Sequence, residues 1–127
     1  MNEEAKHILI VEHTEDVRDV LVAMLESHGY HVTAADCGEA MHRLLVGAHG
    51  IDAVVLDATV RSETAVSLAR QVKDLQLPLV MISGSPAAIE FADTNGLQLL
   101  SKPLRMEDLF VALARAFSSG EFGQRGA

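Results

Sequence analysis

Ala53-Val54-Val55-Leu56-Asp57 is the stretch on which the rest of the chain is organised. Four apolar residues follow one another without alternation, which suits a strand buried on both faces of a parallel sheet. The run ends in a carboxylate, and in open α/β sheets ligands gather beyond the carboxyl ends of the strands. Three other apolar runs also end in polar groups: Val11 before Glu12, Ile82 before Ser83, and Leu100 before Ser101 and Lys102. If these strands are parallel neighbours, two acids, a hydroxyl and an ammonium meet at one edge.

Working outward, His7–Val11 reads as the first strand. Thr14 follows as a helix N-cap, with Glu15 and Asp16 in the first turn, where the helix dipole favours negative charge. Val17, Val20, Leu21, Met24 and Leu25 make one apolar stripe, and Gly29 stops the helix. His31–Ala35 is a weaker strand suited to a sheet edge. Asp36 and Glu39 form a capping box for a helix carrying Ala40, Met41, Leu44 and Leu45. After Asp57, a polar loop from Thr59 to Glu63 leads to a helix with Ala65, Leu68, Ala69 and Val72 on one face. Leu79–Ile82 is the fourth strand, a short helix covers Ala87 to Asp93, and Leu97–Leu100 is the fifth strand. The last helix carries Met106, Leu109, Phe110, Leu113, Ala114 and Phe117. Strands alternating with helices imply an α/β domain with a parallel sheet and right-handed crossovers. Residues 1–118 form the domain, and 119–127 read as a flexible tail.

Composition narrows the function classes. A chain of 127 residues is one domain by the usual length prior. The net charge of -8 and the lack of a basic cluster exclude nucleic acid as the expected partner. The single Cys37 suits a reducing cytoplasm, and the acidic Met1-Asn2-Glu3-Glu4 lacks the pattern of a signal peptide. No apolar run approaches the length of a membrane span.

Taken singly, Asp57, Glu12, Ser83 and Lys102 are ordinary strand-end residues; their conjunction carries the chemistry. A carboxylate can take a phosphoryl group as an acyl-phosphate. That transfer needs aligned atoms and neutralised charge, which a lysine, a hydroxyl, backbone N–H groups and a carboxylate-bound Mg²⁺ supply. With these residues in place the chain resembles a receiver domain of the two-component response regulators, from about His7 to Phe117. The family carries an acidic pair after the first strand, a phosphoacceptor Asp after the third, Ser or Thr after the fourth and Lys-Pro after the fifth. Here these are Glu12 and His13, Asp57, Ser83, and Lys102-Pro103.

The resemblance implies a three-layer, doubly wound, five-stranded flavodoxin-like fold of strand order 2-1-3-4-5. It implies phosphotransfer to Asp57 from a histidine kinase or histidine phosphotransfer protein, not enzymatic turnover of a substrate. It also implies Mg²⁺ held by Glu12, Asp57 and the backbone carbonyl of Thr59, with the residue at His13 as a further ligand. Phosphoryl contacts are implied for Ser83, Lys102 and the N–H groups of Ala58 and Gly84, together with a cis bond before Pro103. No output module follows residue 118, so output is expected through binding an unidentified downstream protein, as monomer or homodimer, in the cytoplasm.

Two departures open an alternative. His13 replaces an acid, and a neutral imidazole lacks the hard charged oxygen that Mg²⁺ prefers, which weakens Mg²⁺ and admits Mn²⁺. A protonated imidazole would repel the cation. The bland reading is that His13 points to solvent and Glu12 with waters suffices. Leu99 stands where receivers often carry an aromatic switch residue. The alternative is therefore a pseudo-receiver, an interaction module that works without phosphorylation. A flavin carrier is disfavoured because no phosphate-binding loop follows the first strand. A haloacid-dehalogenase-type phosphatase is disfavoured because Ala58-Thr59 offers no second Asp. The remaining histidines (His7, His28, His31, His42, His49) have no ligand spacing and read as surface residues.

Overall fold

The computed structural model describes residues 5–47, 50–57 and 62–126, the side chains of 62–65 and 119–126 excepted. Five strands alternate with five helices: β1 His7–Val11, α1 Glu15–Ser27, β2 His31–Ala35, α2 Gly38–Val46, β3 Ala53–Asp57, α3 Ser62–Asp74, β4 Leu79–Ser83, α4 Pro86–Thr94, β5 Gln98–Ser101 and α5 Met106–Gly126. The sheet is wholly parallel in the order β2-β1-β3-β4-β5, so the expected order 2-1-3-4-5 holds. The continuous apolar strands are central because both their faces are covered. Ile8, Ile10, Val55, Val80 and Ile82 pack with Leu21 and Leu25 of α1 and Leu109 and Leu113 of α5. Leu9, Val54, Leu56 and Met81 pack on the other face with Met41 and Leu45 of α2, Val72 of α3 and Ala88 and Ala92 of α4. The core is aliphatic, as the scarcity of aromatic residues requires.

Parallel registry fixes the site. Val11 pairs with Leu56, and Asp57 with Ile82, so Glu12, Asp57 and Ser83 emerge at the same edge. Ser83 pairs with Ser101, which places Lys102 beside them. Two helix starts lie on that edge as well, with Thr14 and Ser85 as N-caps of α1 and α4.

Several local readings change. The N-cap of α2 is Cys37, with no side-chain cap bond, so the Asp36–Glu39 capping box does not form. Glu39 instead reaches forward, its Oε2 lying 3.8 Å from Arg43 Nη1 one turn on. The stripe of α1 is narrower than its apolar spacing suggests: Leu21 and Leu25 are buried, whereas Val17, Val20 and Met24 are exposed. In α5 the buried line runs through Ala112 and Ala116, and Ala114 is exposed. The backbone of α5 runs to Gly126. No helix among the described residues is long and apolar enough to cross a membrane.

Candidate functional site

Asp57 ends the central strand with its side chain almost wholly buried, and Lys102 Nζ lies 3.0 Å from its Oδ2. The lysine reaches the carboxylate from the loop after β5, whose Lys102–Pro103 peptide is cis. A pocket of about 200 Å³ opens beside the pair. Its walls are Val17 and Leu21 of α1, Ile82, Pro103 and Leu104, so the ion pair sits against apolar surface that thins the surrounding water.

Glu12 is the second buried acid, 2% exposed. Its N–H donates to Ala35 O at 3.0 Å, anchoring the strand exit to β2. Its Oε2 accepts the Thr14 N–H at 2.9 Å, satisfying the backbone donor of the N-cap residue, whose own hydroxyl makes no cap bond. Oε1 is buried with no hydrogen-bond partner. Burial first, and the neighbouring Asp57 carboxylate second, push the Glu12 carboxyl up from 4.5 to about 7, against the pull of the Thr14 N–H and Lys102.

A sign follows for stability. Glu12 holds its proton more tightly folded than unfolded, so the folded chain binds more protons between pH 4.5 and about 7. Stability should therefore fall as pH rises through that window and level off above it. Urea unfolding of wild type and Glu12→Gln across this range measures it: the glutamine variant should lose most of the slope.

A hard divalent cation is the natural partner for such a donor set. A buried, orphaned carboxylate oxygen beside a second carboxylate fits such an ion, which would relieve their repulsion. His13 lies beside them at the surface: its side chain is 56% exposed, with Nδ1 3.8 Å from Glu12 Oε2. No group of three or more His, Cys, Asp or Glu side chains converges for a metal among the described residues. Thr59 and Ala58, assigned a metal-binding carbonyl and a phosphoryl-binding N–H, lie outside the described residues, as does His49.

Ser83 is fully buried, and its hydroxyl accepts the Ser85 N–H at 2.9 Å. Its carbonyl takes the Lys102 N–H at 3.3 Å, tying the ends of β4 and β5 together. Gly84 lies exposed in the same turn. Leu99 is half-buried, pairs in register with Met81, and packs on the core under α2–α4.

Comparison with known proteins agrees with this geometry. The family described as "Response regulator receiver domain" matches residues 8–114. The chain belongs to that family. A receiver domain of this kind is similar to the response regulator receiver protein CpdR of Brucella abortus, at 30% identity over 109 residues, covering 82% of this chain and 90% of that protein. It is also 32% identical over 76 residues to the response regulator SaeR of Staphylococcus epidermidis, which spans 60% of this chain but 32% of SaeR. Among solved structures, a CheY-like receiver domain protein from Methanospirillum hungatei superposes with a TM-score of 0.81 at 20% identity, over 94% of this chain and 99% of that one. A receiver domain protein from Clostridium thermocellum gives 0.80 at 19%, over 92% and 98%. These two likenesses bear on the fold.

Arg18 is the residue the sequence reading passed over. It is half-buried, and its Nη1 donates to Glu12 O at 2.9 Å and to His13 O at 3.5 Å. A signal was present: it is the sole Lys or Arg between Lys6 and Arg43, in a helix that opens with acids. The other histidines make local contacts, His7 Nε2 with Thr33 Oγ1 at 2.7 Å and His28 stacked on Phe110 at 3.8 Å.

Proposed function

We propose that this receiver domain accepts a phosphoryl group on Asp57 from the phosphohistidine of a histidine kinase or histidine phosphotransfer protein, and signals by binding a downstream protein. The observation that carries the reading is the Lys102 ammonium 3.0 Å from the buried Asp57 carboxylate at the end of the central strand. An Asp57 oxygen attacks phosphorus, the P–O bond forms as the P–N bond breaks, and the donor imidazole departs with a proton from solvent. Charge spreading over the phosphoryl oxygens meets the Lys102 ammonium, while the Ser83 hydroxyl donates from the β4 end. Apolar walls at Val17, Leu21 and Pro103 limit water at the attacking oxygen. Glu12 and Asp57, with the Thr59 carbonyl, would hold Mg²⁺ or Mn²⁺, which supplies further charge neutralisation when bound.

The test is mass spectrometry after incubation with a small phosphodonor, with and without Mg²⁺. Gain of one phosphoryl group that depends on the ion supports the reading, and no gain at any donor or metal concentration ends it. In that event the protein is an interaction module that works without phosphorylation, a reading favoured by the exposed, unconverged His13. His13→Asp separates the two: adding a carboxylate beside Glu12 should tighten Mg²⁺ by about tenfold or more and speed labelling. A titration in which the variant binds no better than wild type would clear His13 of weakening the site.

A further inference from the structure

We propose that Arg18 is a positioning residue for the acidic pocket, its guanidinium holding the β1–α1 connection in the shape that turns the Glu12 carboxylate inward. The inference rests on the cation-assisted phosphoacceptor reading and adds a residue outside the pocket that shapes it.

The connection has little room. Glu12 is the first residue past β1, and α1 begins at Glu15. Within that span the chain must leave the sheet, turn and start a helix, so its backbone groups need partners close at hand. The Glu12 N–H has Ala35 O, and the Thr14 N–H has the Glu12 carboxylate. The carbonyls of Glu12 and His13 are both met by one nitrogen of Arg18, reaching back from the first turn of the helix. A charged donor makes such bonds about twice as strong as a neutral one. Burial agrees: Arg18 is half-buried, while Glu15, Asp16 and Asp19 around it are exposed.

The effect passes to Glu12 through the backbone. With its N–H fixed to β2 and its carbonyl fixed to Arg18, the Glu12 peptide planes have one orientation, and the side chain leaves toward Asp57. In this chain that matters more because the next position offers no acid; His13 is exposed, and among the described residues the carboxylates that meet here are the two buried ones, Glu12 and Asp57. If the carbonyls are released, the Glu12 carboxylate can swing to water, where its ionised form is better solvated.

Arg18→Ala and Arg18→Lys in the full chain test this by two readouts. The first is amide hydrogen exchange of the unlabelled protein. In Arg18→Ala the Thr14 N–H, which bonds the Glu12 carboxylate, should exchange about tenfold faster, with the amides of β1 and β3 unchanged. The second is an NMR titration with Mg²⁺, in which the half-saturating concentration should rise about tenfold. Arg18→Lys keeps one charged donor and should recover part of both; it also stands in if the alanine variant does not fold. Unchanged Thr14 exchange with an unchanged titration overturns the proposal. So does a uniform acceleration of Thr14, β1 and β3 amides, which would mark a purely stabilising role. If the wild type takes no phosphoryl label, the proposed function fails by itself, and Thr14 exchange still decides for or against Arg18.

Discussion

Asp57→Ala is expected to take up no phosphoryl group under conditions where the wild type gains one. Two carboxylates, Asp57 and Glu12, meet at the strand ends, so the prediction discriminates between them. Asp57 ends the central strand 3.0 Å from the ammonium that would neutralise an attacking transition state. Glu12 is pushed up to about 7, and one of its oxygens is occupied by the Thr14 N–H. The variant should also fold. Removing Asp57 relieves the repulsion on Glu12, and the Lys102 side chain, 35% exposed, can turn to water. Its urea midpoint at pH 8 should therefore not fall below that of the wild type. Phosphoryl uptake that survives in a folded Asp57→Ala would move the acceptor role to Glu12.

The second large effect is expected at Lys102. Lys102→Ala should retain Asp57 as an acceptor yet slow labelling by a small phosphodonor about 100-fold or more, the usual consequence of deleting a charge aimed at a reacting centre. The loss belongs in the rate at saturating Mg²⁺, because the lysine contacts the reacting carboxylate. Lys102→Arg keeps the charge but presents a planar fork rather than a compact ammonium, and should recover only part of the rate. Initial rates within about threefold of wild type in a folded Lys102→Ala would show that the ion pair serves the resting protein alone.

The strands were legible because burial on both faces leaves unbroken apolar runs, and each run ends in the residue that faces the pocket. Asp57, Glu12, Ser83 and Lys102 were legible for the same reason: a parallel sheet brings consecutive strand ends to one edge. Leu99 could be placed on β5, and its packing against the core is a consequence of that register. The helix faces were harder to read. Val17, Val20 and Met24 have core spacing but lie outside, because α1 has α5 on one side and open solvent on the other. The Asp36–Glu39 pair matched a capping pattern, yet Glu39 turned toward Arg43, a choice between two nearby partners that spacing does not rank.

What the amino-acid order by itself determined is the alternation of buried strands and covering helices, and with it the edge at which the polar residues gather. Both follow from period and burial, which are local properties of the chain. What only the tertiary structure decided is which groups there touch. Lys102 reaches Asp57, Glu12 is buried with an unpartnered oxygen, His13 stays in water, and Arg18 grips the loop behind them. Those outcomes turn on side-chain directions and on separations of about an ångström between elements distant in sequence, and no pattern along the chain encodes them.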